Sequence, residues 1–293
     1  IAVSSNLAGF NEGFKSAAGA ASLPDQAKHP EPQATSAAGK ALAKRAEANL
    51  PQPALHNTLH GLARLMDYQD AAYAALYMDR LESVAALDRA PYTLTAETAR
   101  HLALWMSYED TIRVADLKIR ASRIARVRRE AKASDSQLVR ITEYMHPRLQ
   151  EVCETLPAPL GRAILDNPRL CNWLSPLFKS GRHVETTSLR WFFILRTLAG
   201  MRPFRPRSLR YQEEQERIQT WLLRVRQAAE ADTDLAVELV RCQRLIKGYG
   251  DTFERGLGNF QRIMEKLAER PHTSDELKKM RDIALSSESA HAS

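Results

Sequence analysis

The tetrapeptide Gly248-Tyr249-Gly250-Asp251 has the residue types to do chemistry. Two glycines one residue apart can form half of a dinucleotide fingerprint, in which backbone N–H groups cradle a pyrophosphate. That fingerprint needs a strand before the glycines, and the segment before these carries a helical pattern. The residues read better as a junction between helices. Gly248 or Gly250 supplies the left-handed conformation that ends one helix. Asp251 then caps the next, with Glu254 as its capping-box partner. A helix N-terminus also attracts anions, and Lys247 and Arg255 flank this one. A ligand or interface role for Lys247, Tyr249, Asp251 and Arg255 therefore stands beside the geometric one.

Two further runs are Asp67-Tyr68-Gln69-Asp70 and Glu109-Asp110-Thr111-Ile112-Arg113. Gln69 falls on the apolar stripe of its helix. Glu109 and Asp116 lie one heptad apart, flanking the stripe of Trp105, Ile112 and Ile119. A carboxylate beside a buried stripe must be paired or it is costly. Arg113 stands at i+4 from Glu109 and i−3 from Asp116. These residues suit either a structural ion-pair network between helices or a polar site inside a bundle. His56 and His60 have the i, i+4 spacing of a helical metal site, but no acidic or Cys ligand lies near them in sequence, and no metal is expected.

Basic residues gather at Arg120, Arg123, Arg126, Arg128 and Arg129, and again at Arg202, Arg205, Arg207 and Arg210. Both sets could contact phosphates. Little aromatic interleaving accompanies them beyond Phe204 and Tyr211, so they read as solvated faces or as docking surfaces for an acidic partner, and nucleic acid is not expected. A P-loop, a HExxH zinc motif, a nucleophile motif and the thiamine-diphosphate GDG signature are all absent from the sequence.

The elements that must position these groups are helical. Residues 1–20 carry a weak helical stripe of Val3, Leu7, Phe10 and Phe14, expected to be the end of a domain lying upstream; the chain begins at Ile1 and is read as a fragment or processed product. Residues 21–53 hold five prolines among Ala, Ser, Gln and Lys, and are expected to be a flexible linker. The helical domain spans 54–285. One stripe runs from Leu59 to about Leu81. After Pro91 a helix capped by Thr95 is expected to continue to Glu130, roughly 50 Å at 1.5 Å per residue. Ser134 with Gln137 reads as the capping box of another helix. Prolines between Pro147 and Pro176 allow only short helices. Residues 188–200 form a short, strongly apolar helix. A long helix then turns Ile218, Trp221, Leu222 and Val225 inward, and another places Leu235, Leu239, Cys242 and Ile246 on one face. The last substantial helix is expected over Thr252 to Arg270, and 286–293 is expected to be a disordered tail.

No alternating strand of useful length is evident, so the expected fold is all-α, a bundle of long antiparallel helices with a shorter-helix insert. Composition agrees: 293 residues, 44% apolar, with only 12 Gly and 14 Pro, too few turn residues for an all-β sandwich. The three cysteines, Cys153, Cys171 and Cys242, are odd in number and without a CxxC, which argues against a disulfide framework or cluster site and fits the cytoplasm. The most apolar run, Trp191 to Leu195, is far short of a membrane span, and no membrane association is expected.

Four runs, in order, resemble one family. They are Leu65 to Tyr73; Ala99 to Asp110; Tyr144-Met145-His146-Pro147 with Thr155 to Gly161; and Arg244 to Thr252. Together they resemble the C-terminal helical region of the long bacterial indolepyruvate ferredoxin oxidoreductase beta subunit, over about residues 56–265. The resemblance implies part of a two-subunit enzyme that oxidatively decarboxylates aryl pyruvates to acyl-CoA and passes electrons to an acceptor such as ferredoxin. It places thiamine diphosphate, Mg and the iron–sulfur clusters in the large catalytic partner subunit, with none in this chain. Beyond that subunit a homo-oligomer is the other possible partner. The family pattern has His after GYGDT, where this chain has Phe253, so an imidazole role there is not carried over. A stand-alone helical adaptor that binds an acidic protein or RNA through its Arg-rich helix ends is the rival reading.

Overall fold

The computed structural model describes residues 7, 10, 31–134, 136–248, 250–270 and 272–290. The chain divides into two units, Ile1–Gln33 and Ala34–Ser293. In the first, Leu7 and Phe10 are helical; the rest of the helix expected over 1–20, and residues 21–30 of the expected linker, lie outside the described residues. The second unit is all-α.

The expected linker contains a helix, α1 (Ala37–Asn49). Ser36 caps it by accepting from the Gly39 N–H at 3.0 Å, and Leu42, Ala46 and Leu50 join the core. The spacing of these three makes a narrow apolar seam one residue wide, which the surrounding Ala, Lys and Pro conceal. Pro51 ends α1 and opens α2 (Gln52–Tyr68). The stripe read as one helix to Leu81 is two, because Asp70 accepts from the Tyr73 N–H at 2.8 Å and starts α3 (Ala71–Ala85).

The helix expected from Thr95 to Glu130 is three: α4 (Thr93–Met106), α5 (Thr111–Ile119) and α6 (Ala121–Glu130). Thr95 lies inside α4 rather than capping it, and both its N–H and its hydroxyl donate to Asp88, each at 2.7 Å. Asp110 ends the longer break by accepting from the Arg113 N–H. Ser134 and Gln137 close a turn on each other, but the next element is a strand. β1 (Thr142–Met145) pairs antiparallel with β2 (Arg182–Glu185), with Tyr144 opposite His183. Between them lie α7 (Leu149–Thr155), α8 (Ala158–Leu165) and α9 (Pro168–Leu174). After β2 comes α10 (Leu189–Gly200), which packs along α5.

The chain then returns to the bundle through α11 (Leu209–Ala231), α12 (Thr233–Arg241) and α13 (Gly250–Glu269). A further helix, α14 (Ser274–Ala290), replaces much of the expected tail; residues 291–293 lie outside the described set. Thr273 and Glu276 form its capping box, and Leu277 is fully buried. At the centre, Trp105 packs against Trp221 at 5.2 Å and edge-on to Phe260 at 5.4 Å.

Two features of this packing are testable. Gly61 sits where α2 and α4 cross, and a Cβ there would lie 2.8 Å from the Tyr77 hydroxyl and 3.0 Å from the Ala103 Cβ. Gly→Ala within a helix ordinarily gains up to about 1 kcal/mol; Gly61→Ala is expected instead to lose about 1–3 kcal/mol by overpacking, read from denaturant melts. The second feature joins α4 to α12. The His101 imidazole above all, and then Arg241 against opposing burial, holds the Glu97 carboxyl at about 2, below its ordinary 4.5. A depressed carboxylate stabilises the fold above its unfolded pKa and loses that contribution as pH falls from 4.5 toward 2. Glu97→Gln is expected to flatten the acid limb of a stability–pH curve in that window; an unchanged limb would show that the cluster contributes nothing.

Candidate functional site

The chain's polar chemistry centres on a side chain that sequence reasoning placed on the surface. Arg205 lies in the 3-10 turn Arg202–Arg207 and is 1% exposed. Its Nε and Nη2 donate to the two carboxylate oxygens of Asp110, at 2.7 and 3.2 Å. Its Nη1 donates to the Tyr68 carbonyl at 2.8 Å and to Gln69 Oε1 at 2.7 Å. The guanidinium also stacks 4.1 Å from the centre of the Tyr68 ring. Burial opposes this charge, but Tyr68 and Asp110 outweigh it and hold the Arg205 pKa above its usual value. Gln69 completes the loop by donating to the Arg202 carbonyl at 3.2 Å.

Gln69 and Asp110 thus meet through Arg205, a partner that the sequence did not single out for them. Arg113 belongs to a neighbouring, more exposed network. It binds Asp67 at 2.8 Å and Asp116 at 3.2 Å, and Arg120 binds the same two carboxylates. Against the cost of burial, Arg113 and Arg120 hold the Asp67 pKa below its ordinary value. Glu109 is exposed and joins neither network; the helix break after Met106 removes the heptad relation expected between Glu109 and Asp116. Asp70 serves as the cap of α3.

A second buried cluster adjoins the first. The Trp105 indole donates to Glu214 Oε2 at 2.8 Å, and Arg210 spans Glu214 at 2.9 Å and Glu154 at 3.0 Å. Arg210 also lies 4.2 Å from the centre of the Phe253 ring, so the position that carries His in the resembled family here supplies a π-face to a cation. The Tyr73 hydroxyl donates to the Met106 carbonyl and accepts from Gln215. Of the expected basic patch, Arg205 and Arg210 are therefore interior. Of the other patch, Arg123 pairs with Glu143 on β1, as does nearby Lys118, and Arg128 donates to the carbonyls of Ser134 and Gln137.

α12 stops at Arg241 and the 3-10 turn Cys242–Leu245 follows it, so neither glycine ends the expected helix; their positive φ, 76° at Gly248 and 51° at Gly250, is as expected. The capping box is not. Asp251 lies within the first turn of α13, and both it and Glu254 bind Arg148, at 2.8 and 3.3 Å. That turn already holds two carboxylates, which disfavours an anion. Arg255 donates to Thr252 at 3.4 Å; Tyr249 lies outside the described residues. The rings of His56 and His60 touch at 4.6 Å, and among the described residues no three His, Cys, Asp or Glu side chains are grouped to hold a metal.

Fold and site together define an all-α protein whose interior ion pairs lock a basic, short-helix insert onto a bundle. Over residues 57–266 the chain matches a family of unknown function, DUF6537, and it belongs to that family. No curated protein and no solved structure matches it.

Removing one partner of a buried ion pair leaves the other charge unpaired, at a cost of about 3–5 kcal/mol. Arg205→Met is expected to show a loss of that size in urea melts. Asp251→Ala breaks only an exposed pair, and is expected to cost less than about 1 kcal/mol. Equal losses at the two positions would refute the central role given to Arg205.

Proposed function

We propose that the chain is a helical accessory domain of an indolepyruvate, or aryl 2-oxoacid, ferredoxin oxidoreductase subunit. It docks on a large catalytic subunit that holds thiamine diphosphate, Mg and the iron–sulfur clusters, in the cytoplasm. The complex decarboxylates aryl pyruvates oxidatively to acyl-CoA, and this chain alone turns nothing over. The observation that carries the reading is the meeting in space of the first two of the four runs that resemble that family. Tyr68, Gln69 and Tyr73 of the first run pack against Trp105, Met106 and Asp110 of the second through Arg205 and α11. The resembled span, 56–265, is also nearly the span of the family match, 57–266. Among the described residues, no helix is long and apolar enough to cross a membrane.

The test is co-expression of the subunit that carries this chain with the large subunit, followed by an assay with an aryl pyruvate, CoA and an electron acceptor. Turnover is expected from the complex and none from this chain by itself. Turnover by the isolated chain, or no association with the large subunit, would overturn the reading. In the second case a tight, sequence-specific RNA complex at physiological salt would favour the adaptor; phosphate contacts alone weaken steeply with salt.

A further inference from the structure

Eight of the twelve residues of α10 are apolar and they fall on more than one side of the helix, of which only one is covered. Leu195 is buried, and Trp191, Phe192 and Leu198 are half-buried on the side that faces the domain. Leu189 and Phe193, four residues apart on one helical face, are 77% and 64% exposed, with Ile194 beside them at 38%. Phe204, in the 3-10 turn that packs against α10, is 59% exposed. Single exposed apolar residues are ordinary where a cluster is not. Ten of the sixteen large, exposed apolar side chains among the described residues lie between Leu138 and Phe204.

Positive charge is concentrated in a wider stretch that includes this one. Residues 111–207 hold 19 Lys and Arg against 8 Asp and Glu, while the rest of the chain holds 23 against 27. Arg190 and Arg196 on α10, and Arg207 in the adjoining turn, are exposed and form no ion pair among the described residues. The arrangement is an apolar centre with a cationic edge, which is the anatomy of a protein interface.

We propose that the outer face of α10, with the turn Arg202–Arg207, is the docking surface for a protein partner that presents an apolar groove edged by carboxylates. The proposal rests on the docking role argued above, and it makes that partner the large catalytic subunit. Several features favour a protein over other anionic partners. Leu189 and Ile194 offer no face on which a base can stack. Of the 19 basic residues in 111–207, 16 are Arg; interfaces between proteins are enriched in Arg and aromatics and depleted in Lys. A second copy of the same face would meet like charge with like charge, which is unfavourable.

Binding of the purified large subunit to the chain carrying Leu189→Ser with Phe193→Ser is the test, beside a charge variant, Arg190→Glu with Arg196→Glu. All four positions are exposed, and melting curves check that both variants fold. The apolar variant is expected to weaken binding at least tenfold. The charge variant is expected to slow association and to lose most of its salt dependence. Wild-type affinity in both variants would overturn this surface and leave the docking role standing. No binding by the wild-type chain would overturn the docking role and this proposal with it. Binding of single-stranded RNA or phosphatidylglycerol vesicles that the apolar variant abolishes would assign the face to another class of partner, and so overturn it as well.

Discussion

One desolvated guanidinium ties three places in the chain together. Arg205 reaches the C-terminal end of α2 through the Tyr68 carbonyl, the interhelical corner through Gln69, and the start of α5 through Asp110. Helix ends leave carbonyl groups without intrahelical partners, and here a buried one is satisfied by a cation delivered from about 95 residues beyond Asp110. A guanidinium suits this place because its fork of donors can serve a bidentate carboxylate, an amide oxygen and a carbonyl at once. An ammonium in its position would have neither the planar fork nor the flat face that lies on the Tyr68 ring. A buried ion pair adds little net stability compared with an apolar replacement. What it does add here is geometry: it sets where the insert re-enters the bundle and how α11 begins.

From that point the apolar core and the polar network share residues. Trp105 packs its ring against Trp221 and Phe260 and directs its N–H to Glu214. Glu214 in turn holds Arg210, which reaches across to Glu154 on α7. The bundle and the insert are thus joined through a chain of contacts with few exposed members, so a change on α7 bears on the same carboxylate that satisfies the central tryptophan. Bundle and insert accordingly belong to one compact unit, Ala34–Ser293.

The insert differs from the bundle in what it leaves outside. Among the described residues, the bundle leaves few large apolar side chains exposed, namely Tyr92, Leu104, Leu223 and Ile283. The insert exposes Trp173, Leu177, Leu189 and Phe193 and carries the excess of positive charge. Such a surface is in keeping with the docking role proposed for this chain.

Several features were legible in the residues alone. The all-α class followed from periodicity and composition. The positive φ of Gly248 and Gly250 was legible from the residue type, though the helix before them ends sooner, at Arg241. The inward face of α11 followed from spacings of three and four; of the face expected next, Leu239 is buried on α12 and Cys242 in the 3-10 turn after it, while Leu235 and Ile246 are half-buried. Asp70 and Asp110 were visible as unusual polar residues, but periodicity concealed their work as caps, because the apolar stripe continues in phase across both helix breaks. The helix α1 was hidden by proline-rich flanks and by a seam one residue wide, which has value only once α2 and α3 supply its opposite wall. The fate of the arginines was beyond the sequence altogether. Arg202, Arg205, Arg207 and Arg210 are alike in type and spacing, yet Arg205 and Arg210 lie inside while Arg202 and Arg207 face solvent. The difference is whether a buried carboxylate from a distant helix arrives beside the guanidinium, and only the tertiary structure decides that.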